Sequence, residues 1–452
     1  MDSSTSSTPR KSLLSQILPW AKKGGYALAD QGLISGSNFL ISVLLARWLT
    51  RDGYGAYAVA FGIFVLLTVL YQSLVLEPMS VFGGSNYRNN LREYLRVLIW
   101  LHCSLCALLC GALGIWVGVA YKLDPHSALP LALAGVTIAS PLVLIFGLAR
   151  RAFYLELTPA SAALGALWYC AFAMAGLWVA FHYGLLSAFS AFIAIGAAAL
   201  TTSLLLLRHL RANLRPRTGH IAFAEVCREH WRYGRWALIA NVASWVPAYL
   251  FYPILSHAAG LVASGQLRAL MNLAAPMQQA QTAMALLFLP YASRLRGEGG
   301  DRKAASLNWR ISLLAISGAV AYWAVIVVFK NSVFHLLYSG KYMEVAGQLP
   351  FVAVGAILWA ASFGPTVVLR ALQSPKLVFI AYAVGTAVSL IIGIPATYRY
   401  GLWGAILGVN VSDFLSLLLM MFLLRRRTRE IWSGAANQQS PSAGLTPGLS
   451  KP

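Results

Sequence analysis

Long apolar stretches alternate with short polar segments along the whole chain of 452 residues. About 20 apolar residues suffice for a helix to cross the hydrocarbon core of a bilayer. The uncharged region 157–207 is too long for one such helix, so we divide it at His182-Tyr183-Gly184. This pattern predicts twelve membrane-spanning helices, at 24–47, 54–77, 97–121, 127–149, 158–181, 185–207, 236–256, 263–290, 311–329, 347–369, 377–398 and 401–424.

The chain also shows an internal duplication. Arg208 and Arg425 follow the sixth and twelfth predicted spans at an offset of 217 residues, and the same offset places 182–185 on 399–402. Because each repeat holds an even number of spans, both repeats enter the membrane in the same orientation. We therefore predict an all-α polytopic membrane protein of two six-helix lobes related by pseudo-two-fold symmetry. The predicted segments are a cytoplasmic tail (1–23), an N-terminal lobe (24–207), a cytoplasmic amphipathic linker (208–235), a C-terminal lobe (236–424) and a second cytoplasmic tail (425–452).

Composition and charge agree with a membrane protein. Hydrophobic residues make up 58% of the chain and charged residues 11%, whereas soluble globular proteins carry about 25% charged residues. With the N-terminus placed in the cytoplasm, 28 of the 35 Lys and Arg residues fall in inner segments and 6 in outer loops. This asymmetry follows the positive-inside rule and predicts that both termini are cytoplasmic. It also explains the net charge of +21 without nucleic acid, because the basic residues are dispersed over loops between spans.

The first predicted hairpin carries short motifs that allow a resemblance to be stated. Together with the two six-span repeats, Asn38-Phe39, Ala46–Leu49 and Tyr54–Tyr57 resemble the multidrug/oligosaccharidyl-lipid/polysaccharide exporter superfamily, and within it the Wzx-type polysaccharide biosynthesis flippases. The resemblance implies two lobes in a V around a central cavity. It also implies export of polyprenyl-diphosphate-linked oligosaccharide across a bacterial inner membrane, for exopolysaccharide or O-antigen assembly. The partners so implied are the lipid-linked oligosaccharide, membrane lipids, and the polymerase and glycosyltransferases of the same pathway.

Polar residues at helical spacing inside three spans predict the walls of a substrate cavity. Arg268 is the only one of them with a positive charge, and its planar guanidinium suits a diphosphate, while amides and hydroxyls suit sugars. Arg268 has two alternative readings: it could snorkel outward, or it could pair with an acid. The predicted substrate-binding residues are Gln31, Ser35 and Asn38 on span one, Asn241 on span seven, and Arg268, Asn272 and Gln279 on span eight.

Three acids within or near spans are candidates for ion coupling or gating: Asp30, Glu77 and Asp413. A charge inside a span costs about 2.5–3.5 kcal/mol on insertion scales, so such groups face a cavity or a partner. Asp30 could instead pair with a nearby base such as Lys22 or Lys23. Glu77 could simply end a helix, and Asp413 could be a buried hydrogen-bonding group between helices.

Three classes of function remain open at this point. The first is a lipid-linked oligosaccharide flippase, the second a drug or cation antiporter of the same fold, and the third a membrane glycosyltransferase or polymerase. The enzyme class is disfavoured because the His and acidic residues form no catalytic constellation in the sequence. Cys103, Cys106 and Cys110 lie at helical spacing, which favours packing over metal or redox chemistry. We expect no metal, no cofactor and no nucleic-acid partner.

Overall fold

The computed structural model describes residues 13–213 and 221–438, and the regular elements in that part of the chain are helices. A π-helical turn at Gln72–Leu76 joins α2 to α3, and single 3₁₀ turns at Arg88–Asn90 and Met343–Gln348 precede α4 and α12. The helices are α1 (Leu13–Trp48), α2 (Arg51–Tyr71), α3 (Glu77–Phe82), α4 (Leu91–Leu123), α5 (Ala128–Leu155), α6 (Pro159–His182), α7 (Ala188–Asn213), α8 (Phe223–Tyr249), α9 (Phe251–Asn272), α10 (Ala275–Val328), α11 (Lys330–Tyr338), α12 (Leu349–Ala361), α13 (Phe363–Ala371), α14 (Pro375–Tyr400) and α15 (Leu402–Gln438).

Eleven stretches of the described chain are long and apolar enough to cross a membrane. One of them, Phe223–Asn272, is 50 residues long and contains Gly260, whose φ of +85° interrupts the helix. Gly300, with a φ of +75°, interrupts α10 in the same way. Glycine adopts a positive φ more readily than other residues do. Gly260 and Gly300 therefore end one helix and allow the next to begin, in the loops predicted between spans seven, eight and nine. The predicted all-α polytopic fold is confirmed.

Two loops, one in each half of the sequence, have the same backbone conformation. Leu157 and Gln373 each have a φ of +56°, and each is followed by a polar residue and by a proline that opens the next helix. The amide of Thr158 donates to Phe153 and the amide of Ser374 donates to Leu369, both at 2.9 Å. Both ends are Schellman motifs, a common way to satisfy the last carbonyls of a helix. Since the two loops are 216 residues apart, their shared geometry supports the internal duplication.

Packing divides the chain into two compact units. The first contains the described residues up to Trp245 together with Gly260–Asn272, and the second contains Val246–Ala259 and the described chain from Leu273 onward. In the first unit α5 packs on α2, α4 and α7, and α1 packs on α6; in the second, α14 packs on α15 and α10 packs on α12 and α13.

Residues 223–235 of the predicted linker form the first turns of α8 rather than a separate helix. One face of these turns is buried, with Val226 0% and His230 2% exposed, while Trp231 and Tyr233 are exposed. This part of α8 therefore has the amphipathic character expected from the sequence. Residues 214–220 of the linker lie outside the described part of the chain.

Candidate functional site

Asp30 lies in the middle of α1 and is 1% exposed. Its carboxylate accepts hydrogen bonds from Arg150 Nε at 3.0 Å, Arg150 Nη2 at 2.5 Å and the Tyr154 hydroxyl at 2.6 Å. A bidentate guanidinium with a third donor is a strong way to hold a buried carboxylate. Asp30 thus pairs with a base, as one of the alternatives expected, but this base is Arg150 and not Lys22 or Lys23.

The partner was missed because the predicted fourth span stops at 149, where two arginines indicate a loop. In the structure α5 continues to Leu155, so these residues remain helical. Phe146, Arg150 and Tyr154 then recur every four residues and share one face of α5. The Arg150 guanidinium also lies 5.4 Å from the Phe146 ring centroid. This spacing is visible in the sequence and could have identified the face that meets Asp30.

Glu77 and Asn241, predicted separately for gating and for substrate binding, are hydrogen-bonded to each other. Asn241 Nδ2 donates to Glu77 Oε1 at 3.1 Å and to Ser73 Oγ at 3.0 Å. Arg151 interacts electrostatically with both Glu77 and Asp30. The structure thus gathers two acids, two arginines, a phenol and an amide from α1, α3, α5 and α8. We call these residues the Asp30 cluster: Asp30, Glu77, Arg150, Arg151, Tyr154 and Asn241.

The π-helical turn Gln72–Leu76 lies beside the Asp30 cluster. One of its carbonyl groups accepts a hydrogen bond from a histidine that was not predicted from the sequence. Pro78 has no N–H to donate to the Leu74 carbonyl four residues earlier. His230 Nδ1 donates to that carbonyl instead, at 3.0 Å, and its Nε2 lies 2.8 Å from the Tyr94 hydroxyl. A ring whose Nδ1 is the donor accepts at Nε2 when neutral, so Tyr94 donates to it. His230 thereby connects α8 to the π-helical turn and to α4.

Arg268 is buried in a second group of residues, which we call the Arg268 cluster: Arg268, Tyr54, Ser42 and Phe61. The guanidinium carbon lies 4.0 Å from the Phe61 ring centroid, and the side chain is hydrogen-bonded to the Tyr54 phenol. The Tyr54 hydroxyl is in turn 3.1 Å from Ser42 Oγ. At 8% exposure Arg268 does not snorkel outward. Its charge is stabilised by an aromatic face and a phenol.

Two glycines explain how α9 brings Arg268 so close to α2. A Cβ on Gly55 would lie 1.9 Å from the Leu261 carbonyl oxygen, and a Cβ on Gly265 would lie 3.1 Å from the Gly55 amide nitrogen. The two backbones are therefore in direct contact, which small residues permit in membrane helices. Arg268 follows Gly265 by three residues, so this approach sets its position.

The other predicted wall residues are not all together. Asn272 is 6% exposed, and its Nδ2 has no hydrogen-bond partner among the described residues. Gln279 is exposed and belongs to the second unit, because the chain turns between Asn272 and Ala275. The predicted stripe from Arg268 to Gln279 is therefore interrupted.

The predicted polar stripe on α1 contains both exposed and half-buried side chains. Gln31 and Asn38 are exposed and Ser35 is half-buried; Gln31 Nε2 donates to Ser35 Oγ at 3.3 Å. These groups are thus available for hydrogen bonding from the surface of α1.

Asp413 lies in the second unit, on α15, and is half-buried. A Cβ on Gly355 of α12 would be 3.7 Å from its Oδ2, and the neighbouring Asn410 donates to the Phe351 carbonyl at 2.9 Å. The Asn410 amide occupies the space beside Gly355, so this glycine allows α12 to approach α15 closely near Asp413. Whether this acid couples transport stays a prediction.

No group of three His, Cys, Asp or Glu side chains within 13–213 and 221–438 is placed to hold a metal ion. Cys106 is buried 3.6 Å from His102 Nδ1, and the Cys110 thiol donates to the Thr137 carbonyl at 3.3 Å. These thiols therefore act as packing and weak hydrogen-bonding groups between α4 and its neighbours.

Comparison with known proteins identifies the fold. No family model and no curated protein sequence matches the chain. An inward-facing multidrug resistance MATE family transporter of the MOP superfamily matches with a TM-score of 0.74 and 13% identity, over 89% of this chain and 96% of that one.

Two further solved structures have the same fold. The lipid II flippase MurJ, in an inward closed conformation, matches with a TM-score of 0.69 and 12% identity, over 88% of this chain and 87% of that one. A MOP superfamily transporter from Pyrococcus furiosus, described by the reverse polarity of its binding pocket, also matches. Its TM-score is 0.62 and its identity 14%, over 90% of this chain and 95% of that one. The chain is thus a multi-pass helical membrane protein with the fold found in MOP-superfamily transporters.

Proposed function

We propose that this protein is a flippase that moves polyprenyl-diphosphate-linked oligosaccharide from the cytoplasmic to the periplasmic leaflet by alternating access. It would serve surface polysaccharide assembly in a bacterial inner membrane, together with the polymerase and glycosyltransferases of that pathway. The observation that carries the proposal is the Arg268 cluster, a cation buried among aromatic and hydroxyl groups inside membrane-spanning helices.

The physical need for such a cluster follows from the substrate. A lipid-linked oligosaccharide carries many hydroxyls and a charged diphosphate. Each unpaired polar group in hydrocarbon costs about 1–3 kcal/mol or more, so unaided passage is prohibitively slow. A protein lowers this barrier when its own polar groups replace water, while the prenyl tail stays in lipid.

Arg268 is the group best suited to the diphosphate. Stacking on Phe61 uses the face of the guanidinium, and the N–H groups at the edge of the plane are those that bind phosphate oxygens. Exposed amides, such as Gln31 and Asn38 on α1, suit sugar hydroxyls. In this mechanism the Arg268 cluster opens to the substrate during the transport cycle.

A drug or cation antiporter of the same fold is the second candidate. Asp413 favours it, because a half-buried carboxylate within a membrane-spanning helix is a binding point for a proton or a cation. The MATE structures that share the fold are described as multidrug resistance transporters. The two candidates differ in what accumulates when the protein is lost.

Deletion of the gene separates the two candidates. A flippase deletion should trap the lipid-linked repeat unit on the cytoplasmic leaflet and abolish the polymer. This is measured by extracting the lipid-linked intermediate and testing its access to a probe added to the periplasm. If the repeat unit reaches the periplasm normally and the cells become drug-sensitive, the antiporter is the correct function.

Arg268→Ala is expected to insert normally but to lose most export, because the charge that binds the diphosphate is gone. Arg268→Lys should keep part of the activity, since it keeps the charge but not the planar fork. Export is measured as polymer formed per amount of inserted protein.

Arg399→Ala is the matched control for this prediction. Arg399 also lies over an aromatic ring, 5.7 Å from the centroid of Tyr400, but it is exposed. Its removal should leave export near the native level. Full export by Arg268→Ala at normal expression would remove Arg268 from the mechanism.

The topology is open to a direct test. Reporters that are active only outside the cytoplasm should be silent when fused after Arg217, which lies outside the described residues, or after Arg427. The reason is the uneven distribution of basic residues over alternate loops. A fusion in the α6–α7 loop, after Tyr183, should be active, and activity at either of the first two positions would contradict the topology.

A further inference from the structure

The last helix is longer than a bilayer requires. α15 has 37 residues, whereas about 20 residues cross the hydrocarbon core. At 1.5 Å per residue, a helix that enters at Leu402 leaves the hydrocarbon about 20 residues later, near Phe422. The run Arg425-Arg426-Arg427 begins directly after this point, at the depth of the lipid headgroups.

A groove of about 530 Å³ lies along this end of α15. It is lined by an aromatic side chain, three guanidinium groups and one carboxylate: Phe422, Arg425, Arg426, Arg429 and Glu430. Phe422, Arg425, Arg426 and Arg429 are spaced by three or four residues, so they share one face of the helix. The face presents an exposed ring toward the membrane and cations beyond it.

The charge of the groove is only partly neutralised. Glu430 accepts from Arg426 at 3.3 Å and from Arg427 at 3.4 Å, and these exposed pairs are weak. No ion pair involves Arg425 or Arg429 within the described part of the chain. With three arginines and one glutamate, the groove has a net charge of +2.

The helix that carries the groove is anchored from the opposite side. Met420 is 0% and Leu424 is 5% exposed, and both belong to a core that includes Val368 of α13 and Ala381 of α14. Ile431, beyond the arginines, packs against the same core. The guanidinium groups are therefore presented by a fixed backbone.

We propose that this groove binds the phosphate headgroup of an anionic phospholipid from the surrounding leaflet. Arg425 and Arg429 bind the phosphate oxygens, for which guanidinium groups are well shaped. Phe422 packs beside the glycerol and the first carbons of the acyl chains, where aromatic residues are favoured. Basic pockets at the membrane surface are typical headgroup sites. The site is independent of the proposed transport substrate.

Native mass spectrometry of the full-length protein tests the site, with phosphatidylglycerol as the probe and phosphatidylcholine as the neutral comparison. The native chain should retain phosphatidylglycerol in preference. The triple variant R425Q/R426Q/R429Q should bind it at least about tenfold more weakly, because it removes the charged groups that donate hydrogen bonds to the phosphate. Unchanged retention in this variant would overturn the proposal.

The control R88Q/R92Q/R96Q removes the same charge from the 3₁₀ turn before α4 and from the first turns of α4. It should keep the native preference; equal losses in both variants would show diffuse attraction and no site. Inorganic phosphate in excess should not displace the lipid, and displacement would show a free-anion site instead.

Glu430→Gln provides a gain-of-function test that a folding defect cannot mimic. Removing the competing carboxylate should tighten phosphatidylglycerol binding, and weaker binding would contradict the proposed role of the groove.

Discussion

Replacing Asp30 by alanine is expected to lower the free energy of unfolding by about 3–5 kcal/mol, because it leaves Arg150 as an uncompensated buried charge. The Asp30 side chain is 2% and the Arg150 side chain 16% exposed, so water cannot replace the lost partner. Chemical denaturation of the purified protein in one detergent measures the change. The variant also leaves the Tyr154 hydroxyl without its acceptor, which adds to the cost.

The double variant Asp30→Ala/Arg150→Met should be much less destabilised than Asp30→Ala alone, since it removes both charges and keeps apolar volume. Glu93→Ala is a matched control, because it removes the acid of a pair whose arginine, Arg96, is 64% exposed. Surface ion pairs of this kind contribute about 0–1 kcal/mol to the free energy of unfolding. If Asp30→Ala cost no more than Glu93→Ala, the pair would not have the structural importance inferred here.

The same variants separate a structural role of Asp30 from ion coupling. If Asp30 only holds α1 against α5, the double variant should recover transport along with stability. If Asp30 also couples an ion, the double variant should be stable and inactive. Transport per folded protein is therefore the second quantity to measure.

Gly55→Ala is expected to be destabilising by about 3 kcal/mol or more, although alanine is the better helix former. The new Cβ would lie 1.9 Å from the Leu261 carbonyl oxygen, and a backbone atom cannot move aside as a flexible side chain can. α2 and α9 would have to separate, which would also displace Arg268 from Phe61. The midpoint of thermal unfolding in detergent should fall accordingly.

Gly114→Ala is the matched control for this contact. Gly114 lies within α4, and a Cβ there would meet nothing within 4 Å. The substitution should be neutral or stabilising by up to about 1 kcal/mol. The two substitutions are chemically identical, so equal effects would show that the backbone contact is unimportant.

The fold was largely predictable because the membrane imposes a simple rule on the sequence. Every backbone group in hydrocarbon must be satisfied internally, so apolar stretches of sufficient length become helices. The breaks at Gly260 and Gly300 fell in the loops predicted between these stretches. The repeat was visible in short matches, and the loops at Leu157 and Gln373, each followed by a polar residue and a proline, share a backbone geometry.

The site was less predictable because its contacts join residues far apart in the chain. Asp30 and Arg150 are separated by 120 residues, and Glu77 and Asn241 by 164. A single sequence shows that a buried charge needs a partner but does not show which one. The arginines at 150 and 151 were assigned to a loop, because a charge usually marks the end of a span. His230 gave no signal, since its partner is a carbonyl made available by Pro78.

Because Gln72–Leu76 forms a π-helical turn, the number of residues in this part of the chain determines which side chains meet after it. Such a turn holds one residue more than an α-helical turn, as an insertion would leave it. A homologue that lacked one residue here could keep a continuous α-helix, but every later side chain would rotate by about 100° around its axis. Glu77 would then no longer meet Asn241, and Pro78 would no longer leave the Leu74 carbonyl to His230. An alignment gap of one position between Tyr71 and Glu77 would therefore mark a change in the chemistry of the Asp30 cluster, even where its residues were all retained.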